Sequence, residues 1–86
     1  MANYKILIKA SAAKELKSLP KKDIQRITAK IQSLSNEPRP YGCEKLSAQE
    51  RYRIRQGNYR IVYSIEDDKL IVYIIKIAQR RKVYKK

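Results

Sequence analysis

Thirteen residues, Arg51–Tyr63 (RYRIRQGNYRIVY), leave this chain few ways to fold. Arg51, Arg53 and Arg55 alternate with Tyr52 and Ile54, the period of a strand with one face in a core. Gly57-Asn58 follows, a pair suited to the positive φ angles of a two-residue hairpin turn. That turn pairs Gln56 with Tyr59, Arg55 with Arg60, Ile54 with Ile61 and Tyr52 with Tyr63. Apolar side chains meet on one face, and two arginines meet on the other. Like charges placed opposite each other are destabilising. A sheet built this way implies an anionic ligand between the arginines.

The whole chain carries the same bias. Lys and Arg number 21 against 8 acidic residues in 86, a net charge of +13. Such an excess predicts salt-dependent attraction to polyanions. The length predicts a single domain over 1–86, with roughly 60–65% of its surface buried on folding. Cys43 is the only cysteine and histidine is absent, which excludes an intramolecular disulfide and the usual zinc, Ser-His and Cys-His constellations. Neither a metal nor a cofactor is expected. The longest apolar run, Leu70–Ile75, is too short to span a bilayer, and no stretch has the make-up of a signal-peptide core. A reducing cytoplasm is the default compartment.

Taken in order, Asn3–Lys9 reads as a first strand, with Tyr4, Ile6 and Ile8 on one face. Ser11 is the expected N-cap of a helix running to about Leu19, with Ala12, Leu16 and Leu19 on its apolar side. Pro20 separates it from a second helix, Lys21–Ser35, whose Ile24, Ile27, Ile31 and Leu34 form an apolar stripe. The opposite face, with Lys22, Gln25, Arg26, Lys30 and Gln32, reads as solvated. Asn36–Gln49 reads as a loop marked by Pro38, Pro40 and Gly42, in which Lys45 points outward, Leu46 docks on the core edge and Cys43 is a filler. After the central hairpin and a polar turn at Glu66–Lys69 comes an interior strand, Leu70–Ala78. A three-residue loop pairs Ile65 with Ile71, Tyr63 with Tyr73, Ile61 with Ile75 and Arg60 with Lys76. The open face then gathers Arg51, Arg53, Arg55, Arg60 and Lys76 around an exposed apolar centre of Val62, Val72 and Ile74. The fold class is α+β, in the order β-α-α-β-β-β, with a helical hairpin on a small, mainly antiparallel four-stranded sheet.

The closing segment Gln79–Tyr84 (QRRKVY) lies beside that basic face. Arg80 suits a phosphate and Tyr84 suits base stacking or proton sharing. The element order, "YRIRQGNYRIVY", the acidic turn, "LIVYIIKIA" and "QRRKVY" together resemble the RelE/ParE toxin superfamily, in particular its RelE branch, over nearly the whole chain.

The resemblance implies a ribosome-dependent mRNA endoribonuclease that needs no metal. A ribose 2′-hydroxyl attacks the adjacent phosphate, and a cognate RelB-like antitoxin neutralises the toxin in a hetero-oligomer. It implies that Arg60 stabilises the phosphate, that Arg80 stabilises charge or protonates the leaving oxygen, and that Tyr84 stacks on the base. Two basic residues, lysines in some members, fall on Arg53 and Arg55. A guanidinium stays charged and cannot accept the 2′-proton, so these two are expected as electrostatic stabilisers. Many relatives carry histidine where Gln79 stands, and the general base is left open. Lys45, Arg51, Lys76, Arg81 and Lys82 are the expected further RNA contacts. Two alternatives share the pattern, a ParE-like toxin that inhibits gyrase and cleaves nothing, and a plain RNA-binding domain.

Overall fold

Two edges and a bulge decide how the sheet is assembled. A computed structural model of the chain describes residues 3–46 and 51–79. Its elements are β1 (Lys5–Ile8), α1 (Ala10–Lys17), α2 (Lys21–Ser33), β2 (Glu44–Lys45), β3 (Arg51–Gln56), β4 (Tyr59–Glu66) and β5 (Ile71–Gln79). The strands form a five-stranded sheet in the order β1-β5-β4-β3-β2, antiparallel except for the parallel β1–β5 pair. The fifth strand is the two-residue β2, which the proline-marked loop concealed. The expected hairpin register is realised at every pair from Gln56–Tyr59 to Tyr52–Tyr63, and the last strand is interior as expected.

The register between the last two strands differs from expectation. Ile65 pairs with Val72 and Tyr63 with Ile74; beyond a bulge, Ile61 pairs with Ile77 and Arg60 with Ala78. The connection is four residues, Asp67–Leu70, and Leu70 takes φ 55°. The physical reason is that Ile71–Ile75 is apolar on both faces, so alternation alone cannot set its phase. Val72, Ile74 and Ile77 are all buried, a 2-then-3 spacing that a strand reaches only by bulging. Val72 and Ile74 therefore belong to the core, not to an exposed apolar centre.

Both helices cover one face of the sheet. Ala12, Ile27, Ile31 and Leu34 meet Ile54, Ile61, Tyr63, Ile65, Val72 and Ile74, with Leu16, Leu19 and Cys43 partly buried at the margin. The α1 helix begins at Ala10 with Lys9 as N-cap and no side-chain cap, so Ser11 lies inside the first turn. The α2 helix ends at Ser33, two residues short of expectation. Leu46 stays exposed; its N–H donates to the Arg51 carbonyl at 2.8 Å, which extends the β2–β3 pairing.

Four buried tyrosines bring polar tips into this core, and each hydroxyl is bonded, as buried phenols usually are. Tyr63 donates to the Pro38 carbonyl at 2.7 Å and Tyr59 to Asp23 at 2.8 Å. Tyr4 donates to Asp67 at 2.6 Å, and Tyr52 accepts from Arg39 Nε at 3.0 Å. Arg39 also grips both carboxylate oxygens of Asp67, at 3.1 and 2.8 Å. This network ties the 36–43 loop to the β4–β5 turn. Among the described residues, no helix is long and apolar enough to cross a membrane.

Candidate functional site

The face away from the helices is divided by the register into a basic half and an apolar edge. One row across the sheet runs Leu7–Tyr73–Ser64–Arg51, the next Lys76–Val62–Arg53–Glu44, and the last Ala78–Arg60–Arg55. Arg51, Arg53, Arg55 and Arg60 thus share the β3–β4 half, while Leu7 and Tyr73 lie exposed toward β1.

Arg60 is the most constrained of these cations. It sits opposite Arg55, it is half-buried, and its Nε is buried with no hydrogen-bond partner among the described residues. A guanidinium donor left unpaired out of water costs about 1–3 kcal/mol. The arrangement becomes favourable when an anion lies between the two side chains.

Three expected contacts are placed differently from the sequence reading. Arg53 donates through Nε to Glu44 at 3.1 Å and again through Nη2. The Arg53 guanidinium, with Arg55 and Arg60 adding to it, holds the Glu44 carboxyl below its ordinary value. Lys76 lies by register on the open face, yet its ammonium binds Glu15 of α1 at 2.9 Å. Glu15 also accepts the Ile77 N–H at 2.8 Å; burial works to raise its pKa, but these two donors win and lower it. Lys45 pairs with Tyr52, so its register puts it on the helix side of the sheet. Arg80, Arg81, Lys82 and Tyr84 lie outside the described residues. Gln79, the last described residue, pairs with Tyr59.

The sequence reading missed Glu44 as a partner of Arg53, because only the pairing of β2 with β3 brings them together. It also treated Lys30 as plain solvated surface. Lys30 is half-buried and lines a groove of about 350 Å³ with Tyr41, Gly42, Glu44, Arg53 and Arg55. No cluster of three or more His, Cys, Asp or Glu residues suited to a metal occurs among the described residues.

A small sheet backed by a helical hairpin and faced with arginines defines a class, and the comparisons name it. A family model described as the ParE toxin of the type II toxin–antitoxin system parDE matches residues 6–84, and the chain belongs to this family of toxins. Within the wider RelE/ParE superfamily it is RelE-like. It is 30% identical over 86 residues to the RelE1 protein of Methanocaldococcus jannaschii, covering 95% of this chain and 96% of that one. It is 34% identical over 84 residues to the toxin RelE of Mycobacterium tuberculosis, covering 95% and 87% respectively. Among solved structures, the archaeal RelE–RelB complex of Pyrococcus horikoshii OT3 matches with a TM-score of 0.83 and 31% identity over 91% of this chain and 96% of that chain.

Proposed function

We propose that this toxin cleaves mRNA on the ribosome by directing a ribose 2′-hydroxyl onto the neighbouring phosphate, and that a RelB-like antitoxin silences it by covering the open face. The observation that carries the reading is Arg60, whose buried Nε has no hydrogen-bond partner among the described residues and which stands opposite Arg55 in the hairpin. In the reaction the 2′-oxygen bonds to phosphorus and the bond to the 5′-oxygen breaks, leaving a cyclic phosphate and a 5′-hydroxyl. Charge gathers on the non-bridging oxygens, and donors held in place for that charge lower the barrier. Arg60 and Arg55, opposed across the hairpin, are the donors assigned to that charge. Arg80 and Tyr84 are assigned to the leaving oxygen and the base on the strength of the family resemblance.

Arg53, engaged by Glu44, contributes less free charge than its place in the row suggests. No arginine takes the 2′-proton, so the arginines of the open face contribute positioning and charge stabilisation. The antitoxin assignment rests on the relatives whose solved forms are RelE–RelB complexes. The match to a ParE model keeps a gyrase-inhibiting alternative in view. Inducing the protein in a bacterium and mapping mRNA 5′ ends separates the two. New ends inside codons, made only on translated messages, are expected. Unchanged ends together with blocked supercoiling would reverse the assignment.

A further inference from the structure

Tyr41 is the most exposed large hydrophobic residue among the described residues. Its position is nevertheless well fixed. Pro40–Cys43 forms a turn closed by the Cys43 N–H to the Pro40 carbonyl at 3.1 Å. Gly42 has φ +97°, the sign that a type II turn demands at its third residue. Tyr41 is the corner of that turn. The flanks are anchored: the Pro38 carbonyl accepts from Tyr63, Arg39 binds Asp67 and Tyr52, and Glu44 enters the sheet. A rigid turn that lifts an aromatic ring out of the core forfeits the stabilisation its burial brings.

The groove under the ring is basic. Lys30 reaches it from α2, and Arg53 and Arg55 from β3, with Glu44 held by Arg53. Among the described residues neither Lys30 nor Arg55 has an ion-pair partner. The volume, about 350 Å³, is at the lower end of ligand sites, which run from about 300 to 1,000 Å³. An aromatic face beside a cationic groove is the arrangement that holds single-stranded nucleic acid.

We propose that this groove is a subsite for one nucleotide of single-stranded RNA, its base stacked on Tyr41 and its phosphate between Lys30 and Arg55. The choice of ligand rests on the RNA-cleaving function proposed above. The site extends the contact surface past the edge of the arginine face, around β3 toward α2. An acidic peptide would satisfy the cations but leave the ring without a flat partner.

The test uses the full chain, isotope-labelled for NMR, titrated at low salt with a mixed-sequence single-stranded 2′-O-methyl hexanucleotide. This probe lacks the nucleophile, so it reads binding without cleavage. The amides of Tyr41, Gly42, Lys30 and Arg55 are expected to shift. Tyr41→Ala should weaken binding by about 5- to 150-fold, the loss of one stacked base, whereas Tyr41→Phe should stay within about twofold of the parent. Lys30→Gln should lower the salt slope by about one, as a lost phosphate contact does, and Lys22→Gln, exposed in the first turn of α2 and about two turns away, should leave it near the parent. Tyr41→Ala binding like the parent, or Lys22→Gln costing as much as Lys30→Gln, would overturn the subsite. So would a polyglutamate peptide shifting Tyr41 and Lys30 more strongly than the RNA does. Tyr41-dependent binding without any cleavage on ribosomes would instead sink the nuclease assignment and leave the subsite standing.

Discussion

Arg60 carries two costs in one side chain. It faces Arg55 across the hairpin, and its buried Nε has no acceptor among the described residues. Replacing it with methionine keeps the aliphatic stem and removes both penalties. Arg60→Met should therefore raise stability by about 1 kcal/mol, seen as a rise of ~4–8 °C in the thermal midpoint. The same change should cut cleavage about 10²–10³-fold, the usual loss for one donor aimed at transition-state charge. Arg26→Ala, on the exposed surface of α2, is the charge-matched comparison and should change neither property. A destabilised, fully active Arg60→Met protein would show that the arginine is there for packing. Glu44 gives a second handle: Glu44→Gln frees the Arg53 guanidinium. RNA affinity should rise severalfold at low salt, with a steeper salt dependence, measurable by filter binding across a salt series.

The elements are held to one another by polar clasps at their ends. The strongest joins the 36–43 loop to the β4–β5 turn through Asp67, whose carboxyl is held down to about 2 by the Arg39 guanidinium first and the Tyr4 hydroxyl second. A lowered carboxyl stabilises the fold in full above its unfolded value of about 4 and loses that contribution as pH falls toward 2. Melting temperatures taken between pH 5 and pH 2 should fall through this window, and Asp67→Asn should fall by less. Equal slopes for the two proteins would mean that the clasp adds nothing. Such clasps mark where sequence reading stops. The β3–β4 hairpin was legible because Gly57-Asn58 and strict alternation fix each other, and α2 was legible from Ile27, Ile31 and Leu34. The β5 phase was not, since five consecutive apolar residues fit any register and only the core contacts of Ile74 and Ile77 choose one. In the site, the Arg55–Arg60 pair followed from the turn. Glu44–Arg53 and Lys76–Glu15 depend on long-range placement of β2 and α1, which no local pattern encodes.

Taken as one body, the protein is a strongly cationic object, +13 over 86 residues. Its association with ribosomes and RNA should weaken steeply between 50 and about 200 mM salt, as when several phosphates release their counterions; a flat response in sedimentation binding would contradict this. The strand order has a further consequence. Among the described residues the first strand made, β1, pairs only with β5, the last of the described strands. During synthesis β1 and the helical hairpin emerge with no sheet to cover, and the interior strand β5 that completes the core follows all the other described elements. A contact spanning so much sequence forms late. The nascent chain should consequently stay protease-sensitive until residues 71–79 have left the exit tunnel, so the folded arginine face, and any activity it has, comes into being only after that strand is free to pair.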